Sequence, residues 1–563
     1  MSIDLERVIA VSHPPAEGAK EWRENALEGV KYVVGIANRD PVVIFTSSGQ
    51  SLIVGVLAPL ENLRPPDFDD LGRMSVMLEE SWSLTWCSGG GEPDRAFLSP
   101  PLDSPGCKSL VGGEKLLFRR SFEGVDRGLV RTEISQKLVH ALGLYWLDEE
   151  SAYCRLDDHG DVEPVIRLQD ISAATGQNND VIVTIKRGDL HNYMALTGMG
   201  LVIKFDFTRF EPGSFMGWHG ERRFSTTDTD ISFHGGQQHN SSFVNGCLVV
   251  LPDVGPDDVL QTLQRDWRDD GKQYASFIAQ DWKNDRIAEI SCAPDALASY
   301  FEKDSPLPFQ VTPAFFKPEV LLKYKSNREK YKVENRSISC RGAWHLKSYD
   351  INEAGQVHAY LYDLAKLPYS EQLYWKSFNE DPRAPISKRA FRTDFEGDWD
   401  TTHDPLEDIK SYVKDLNRVV PTWWLPRAEA LIDATNYPVT ASPDEWAESI
   451  LSLDQLVVEG FSPSGLRTLL AEAAVDYEKN WQSLKLLHEI LLTKGIDAED
   501  VQKILKPLKE IHHIRSKAKG HASGSQRANM IKTARTEHGS LTKHFREACI
   551  RCQQSIERII DIL

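Results

Sequence analysis

Arg515 and His521 are the side chains whose types and spacing fit a reaction that needs no metal. An imidazole can move a proton on or off a ribose 2′-hydroxyl, and a guanidinium can hold the charge that builds on a neighbouring phosphate. Both lie in the run Arg515-Ser-Lys-Ala-Lys-Gly-His521. Val501, Ile504, Leu505, Leu508 and Ile511 recur at helical spacing, and position 515 falls on the same apolar stripe. A guanidinium there needs compensation: either a carboxylate such as Glu510 or Glu489 pairs with it, or it lines a solvated cleft. On a straight helix six residues turn through about 600°, which leaves the two side chains roughly 120° apart. A helix end near Gly520 would let them converge.

The elements that must position this pair are helices. Ser442-Pro-Asp-Glu445 has the pattern of a capping box with proline at the first helical position, followed by Trp446, Ile450, Leu453 and Val457 on one face. Leu466, Leu469, Leu470, Ala473 and Tyr477 continue the period. Trp481, Leu484, Leu487 and Leu491 follow, closed by Gly495, with Asp497 as a candidate N-cap for the next helix. Phe545, Cys549, Cys552, Ile556, Ile559 and Leu563 form the last stripe, which predicts that the two cysteines are buried reduced thiols rather than zinc ligands. Four or five amphipathic helices with short connections predict an antiparallel bundle over 440–563.

Charge sets this segment apart. Residues 501–563 carry 13 Lys/Arg against 5 Asp/Glu, net +8, while the whole chain is −18, leaving −26 for residues 1–500. Lys517, Lys519, Arg527, Lys532 and Arg535 surround the Arg–His pair and suit a polyanion such as RNA. The alternative is a solvated helix face that docks on the acidic remainder.

The segment from roughly 440 to 563 resembles the HEPN domain, a helical-bundle family whose active members are ribonucleases carrying an arginine and, a few residues on, a histidine. Arg515 and His521 match that pattern, and Ser516 stands where a polar residue, often asparagine, commonly follows the arginine. The resemblance implies a metal-independent endoribonuclease without a cofactor. His521 would act as general base or acid at the 2′-hydroxyl, Arg515 would stabilise the scissile phosphate, and the product would be a 2′,3′-cyclic phosphate. It also implies a homodimer through paired bundles and a prokaryotic toxin, abortive-infection or anti-phage setting, with the acidic N-terminal region open to a protein or phage-derived trigger. The competing reading is a non-catalytic nucleic-acid- or protein-binding module that uses the bundle for dimerisation.

The rest of the chain reads as α+β and multidomain, sheet-rich in its N-terminal and middle regions: an α+β region over 1–125, a sheet-rich α+β region over 126–306, a hairpin-containing region and connector over 307–439, then the bundle over 440–563. Residues 42–45 and 52–54 flank a Thr-Ser-Ser-Gly turn and predict a hairpin. Further strands are expected at 145–155, 181–186, 201–207 and 247–251, with helices at 133–142 and 256–267. A second hairpin is expected between 337–350 and 356–364, followed by a short helix at 369–379. Residues 395–440, with Trp423-Trp424, read as a connector. The first residues lack the apolar core of a signal peptide and no apolar run is long enough to span a membrane, so a cytoplasmic location is expected.

Other chemistry finds little support. His219, His234 and His239, among Asp228 and Asp230, fit hydrogen-bonding loop positions better than metal ligation, for no HExxH or paired CxxC accompanies them. Gly198-Met-Gly200 and Gly89-Gly-Gly91 lack the setting of a nucleotide-binding loop, and neither GxxxxGK[ST] nor GxSxG occurs.

Overall fold

The computed structural model describes residues 30–31, 33–48, 51–63, 83–89, 92–99, 112–122, 126–175, 178–210, 224–238, 241–268, 271–334, 336–398, 404–438, 440, 442–518 and 524–563. They divide into two compact units, one drawn from residues 1–157 and 161–272, the other from 158–160 and 273–563. Sheet dominates the first unit and the start of the second, and helices dominate the C-terminal part.

In the first unit Val42, Val43, Ile44 and Phe45 are all buried, the mark of a strand covered on both faces. That strand, Val42–Ser48, lies inside an 11-stranded antiparallel sheet. Its spatial order is Phe224–Thr227, Ile231–Gln238, Ser241–Val250, Met199–Phe210, Ser51–Pro59, Val42–Ser48, Val181–Ile185, Val162–Asp170, Ala152–Leu156 and Tyr145–Leu147, with Glu114–Lys115 also paired to Ser51–Pro59. The expected first hairpin forms, with Phe45 opposite Val54 and Ser48 opposite Ser51. Its two outer edges pair with Val181–Ile185 and Met199–Phe210. One sheet therefore runs across residues 125/126, where a domain boundary was expected. Before and across that point Ser83–Gly89 pairs with Glu92–Ser99 and Leu117–Phe122 with Asp126–Ile134.

The strand expected over 145–155 is two strands joined by a turn, and helices occur at Gln136–Ala141 and Pro256–Arg268 as expected. Helix Arg187–Thr197 places Leu190, Tyr193 and Met194 in the core and ends at Gly198, whose φ of 65° suits a residue without a side chain. A Cβ on Gly200 would lie 2.4 Å from Leu63 Cδ1, so this glycine serves close packing.

The second unit begins with the hairpin Ser276–Asp281/Arg286–Ser291, which joins Pro313–Phe316, Val357–Tyr360 and Asp350–Ile351 in one sheet, so the expected boundary at 306/307 also falls inside a sheet. The second expected hairpin survives only as Asp350–Ile351 against Val357–Tyr360. Tyr331–Val333, Ile338–Cys340 and Trp344–Leu346 instead form a separate three-stranded meander, and positive φ at Arg341 and Ser348 (46° and 59°) interrupts the extended run. Helix Tyr369–Lys376 buries Trp375, whose Nε1 donates to Tyr324 Oη at 2.8 Å and whose ring meets Phe316 edge-on at 4.8 Å.

The helical part includes, besides the short helix Glu429–Ala434, α1 (Pro405–Val419), α2 (Pro443–Val457), α3 (Pro463–Glu472), α4 (Ser483–Thr493), α5 (Ala498–Ala518), α6 (Gly524–His538) and α7 (Leu541–Ile562). Its hydrophobic core extends from Leu406 to Ile559 and includes Trp423 and Trp424. The expected connector is therefore, from Pro405 onward, part of the bundle's own packing. Residues 422–424 cross α3 and its approach so closely that a Cβ on Gly465 would lie 1.7 Å from the Thr422 carbonyl oxygen, and one on Gly460 would lie 2.2 Å from the Trp424 ring. Cys549 and Cys552 are free thiols with no exposed surface, and burial pushes Cys552 up to about 12. No helix among the described residues is long and apolar enough to cross a membrane.

Lys325 links the second unit's sheet region to its bundle, donating to the Tyr437 carbonyl at 2.7 Å with Glu445 at 3.5 Å. Burial pushes its ammonium down from 10.5 to about 8, against the opposing pull of Glu445. Between those two values the unfolded chain binds more protons than the folded one, so this group should make stability rise with pH across that window. The melting temperature of the parent relative to that of Lys325→Met is expected to rise from pH 8 to 10.5; a constant difference would place the titration elsewhere.

Candidate functional site

Arg515 stands in the last turn of α5, on the stripe of Val501, Leu505, Leu508 and Ile511, all of which are buried. Its partner comes from α2. Ser442 caps that helix through Oγ, which accepts from the amides of Asp444 and Glu445, and Pro443 occupies the first helical position. The cap starts a stripe that carries Trp446, Ile450, Leu453 and Val457 into the core, and Asp454 lies on the same face with no exposed surface.

Asp454 Oδ2 accepts from Arg515 Nη1 at 2.9 Å, and Oδ1 lies 3.0 Å from His512 Nδ1. Arg515 Nη1 is also 2.7 Å from Glu459 Oε1. Burial raises the Asp454 carboxyl above its ordinary range, although His512 and Arg515 both pull it down. The charged stripe residue is thus satisfied by carboxylates, as one of the two sequence options required, but not by the two proposed. Glu510 pairs with Arg551, and Glu489 pairs with Lys485 and His488. Five residues turn a helix through about 500°, which places Glu510 some 140° around α5 from Arg515. Asp454→Asn keeps the shape and removes the charge, and should lower the unfolding free energy by about 1.5–3 kcal/mol. An unchanged urea midpoint would show that this buried pair contributes no net stability.

His521 and Lys519 lie outside the described residues, so the geometry of the Arg–His pair is not defined. Ser516 turns back on its own helix, its Oγ donating to the His513 carbonyl at 2.8 Å. Lys517 is half-buried beside it, Arg527 pairs with Asp444, and Lys532 and Arg535 are exposed on α6. His219 and His239 also lie outside the described residues, and among those described no group of three or more His, Cys, Asp or Glu side chains is placed to hold a metal ion.

A different set of groups converges on a cleft of about 910 Å³ bounded by α2, α4, α5, α6 and α7. Lys506, Lys509 and His513 line it from α5, and Asn529, Thr533 and Glu537 from α6. His544 and Arg551 enter from α7, His488 from α4, and Trp446 from α2. Trp446 Nε1 donates to His544 Nδ1 at 3.2 Å, which assigns the remaining ring proton to Nε2. Burial, with His538 and Arg551 nearby, pushes His544 down to about 4, so its ring is neutral at neutral pH. His538 meets it edge-on at 4.9 Å between centroids.

None of the described basic residues singled out in sequence, Lys517, Arg527, Lys532 and Arg535, lines this cleft. The basic side chains that do were legible in part: Lys506, Lys509 and His513 follow i, i+3, i+7 spacing and must share one face of α5. His538 and His544 sit on two helices separated by a turn, and no spacing rule would have joined them to that face. Comparison with protein-family models, with curated proteins and with solved structures finds no match to this chain.

Proposed function

We propose that the C-terminal bundle is a metal-independent endoribonuclease of the HEPN kind, acting as a homodimer in a prokaryotic defence or toxin system, with the acidic part of the chain sensing a trigger. His521 takes the proton from the 2′-hydroxyl as that oxygen attacks phosphorus. The bond from phosphorus to the 5′-oxygen breaks, the leaving oxygen takes a proton from water, His521 returns its proton to solvent, and a 2′,3′-cyclic phosphate remains. Arg515 stabilises the charge on the phosphate oxygens.

One observation carries this reading. Arg515 stands in the last turn of α5, six positions ahead of His521, and both of its carboxylate partners engage Nη1, so Nε and Nη2 have no partner among the described residues. The net charge of +8 over 501–563 supports a polyanionic substrate. The Asp454–Arg515–His512 cluster also favours a second reading, in which the arginine is an internal tie and the bundle is a binding and dimerisation module.

Incubation of the purified chain with end-labelled transfer RNA and messenger RNA in EDTA separates the two. Fragments with 2′,3′-cyclic phosphate and 5′-hydroxyl ends are expected. Intact RNA, or cleavage only after magnesium is added, refutes the nuclease reading.

A further inference from the structure

We propose that the cleft bounded by α2, α4, α5, α6 and α7 is a binding site for a short segment of single-stranded RNA, a site separate from Arg515. The choice of RNA as ligand rests on the nuclease reading; the existence of a site rests on the cleft itself.

Three cationic or ionisable groups stand unsatisfied on one wall. The side chains of Lys506, Lys509 and His513 line the cleft without a hydrogen bond or ion pair to any described residue. Their spacing along α5 sets neighbours about 5–6 Å apart, the scale on which successive backbone phosphates follow one another. Elsewhere in the bundle Lys485, Lys503 and Arg551 have carboxylate partners, whereas the Lys506 and Lys509 ammonium groups have none among the described residues. A volume of about 910 Å³ is near the upper end of the usual range for ligand pockets and leaves room for more than one nucleotide.

The α6 and α7 side carries carboxylates of its own. Glu537 on α6 and Glu547 on α7 line the cleft, while Arg551 on α7 is taken up by Glu510 of α5. A plain polyanion would meet lysines on one side and carboxylates on the other. A ribonucleotide suits both, with phosphates toward α5 and donors (ribose hydroxyls and base amino groups) toward the glutamates, while Asn529 and Thr533 can read base edges. The 2′-hydroxyl is the donor that DNA lacks, so this division of charge also favours RNA over DNA. Half-buried Ile514 and Met530 supply apolar contact for a base.

The test uses fluorescence polarisation with a dye-labelled eight-nucleotide oligouridylate, in a His521→Ala background so that cleavage does not enter. Lys506→Glu/Lys509→Glu should weaken binding on the order of 10-fold or more. It should also flatten the slope of log K against log salt by about 1.4, two phosphate contacts at roughly 0.7 each. Lys503→Glu, on the same helix but outside the cleft, should bind like the parent. Lys506→Gln/Lys509→Gln, with the fold checked by circular dichroism, covers misfolding of the reversed-charge variant and should weaken binding in the same direction. Double variants that bind like Lys503→Glu, or a parent with no affinity for the RNA, overturn the site. Oligothymidylate bound as tightly as oligouridylate overturns its ribose-reading wall. If the wild-type chain cleaves no RNA yet the lysine variants still lose binding, the nuclease reading fails and the site stands.

Discussion

RNA cleavage by His521→Ala is expected to fall to background while the melting temperature stays close to that of the parent. Arg515→Lys should retain charge at its position but lose the planar fork that meets two phosphate oxygens, lowering the rate on the order of 10²-fold, as when an oxyanion donor is removed. The structure makes the arginine variant the sharper test. Arg515 is held by Asp454 and Glu459, so a purely internal tie predicts a different result: a lower melting temperature with little change in turnover per folded molecule. Full activity in both variants would dissociate the chemistry from this pair altogether.

Gly465→Ala should destabilise the bundle by about 3 kcal/mol or more, the upper part of the range for overpacking. Ordinarily alanine for glycine within a helix gains up to about 1 kcal/mol in propensity. Here the added methyl would lie 1.7 Å from the Thr422 carbonyl oxygen and 2.4 Å from its carbon, so backbone must move. Gly460→Ala meets only the rim of the Trp424 indole, a side chain that can yield, and should cost less. Urea unfolding of both variants orders them, and a Gly465→Ala chain as stable as the parent would show that residues 422–423 can leave α3 without penalty.

The bundle was legible because each helix carries its own period. Val501, Leu505, Leu508 and Ile511 are buried as their spacing requires, and Ser442 caps α2. Even there the detail differs, since Glu445 reaches back to the amide and hydroxyl of Thr440, two residues before the cap, rather than to Ser442 itself. The need of Arg515 for an acidic partner was readable from its place on an apolar stripe; the partner was not chosen correctly. A signal existed, because Asp454 interrupts the stripe of Ile450 and Val457 in the same way, and two opposite charges on apolar faces of one bundle invite pairing. Sheet order was illegible for a different reason. Alternating or continuous apolar residues show that a segment is extended, but nothing in Val42–Ser48 indicates that Val181–Ile185 is its neighbour.

That pairing carries a consequence for how the first unit comes into being. A hairpin of Val42–Ser48 and Ser51–Pro59 leaves the ribosome with both edges bare, more than 100 residues before the strands that flank it on either side. Contacts so distant in sequence must overcome loop closure before they reward it, which makes such sheets slow to form and leaves unpaired strand edges available to other chains. Nascent chains halted before Val181–Ile185 should therefore depend on chaperones to stay dispersed, and those extended past Met199–Phe210 should be released from that dependence.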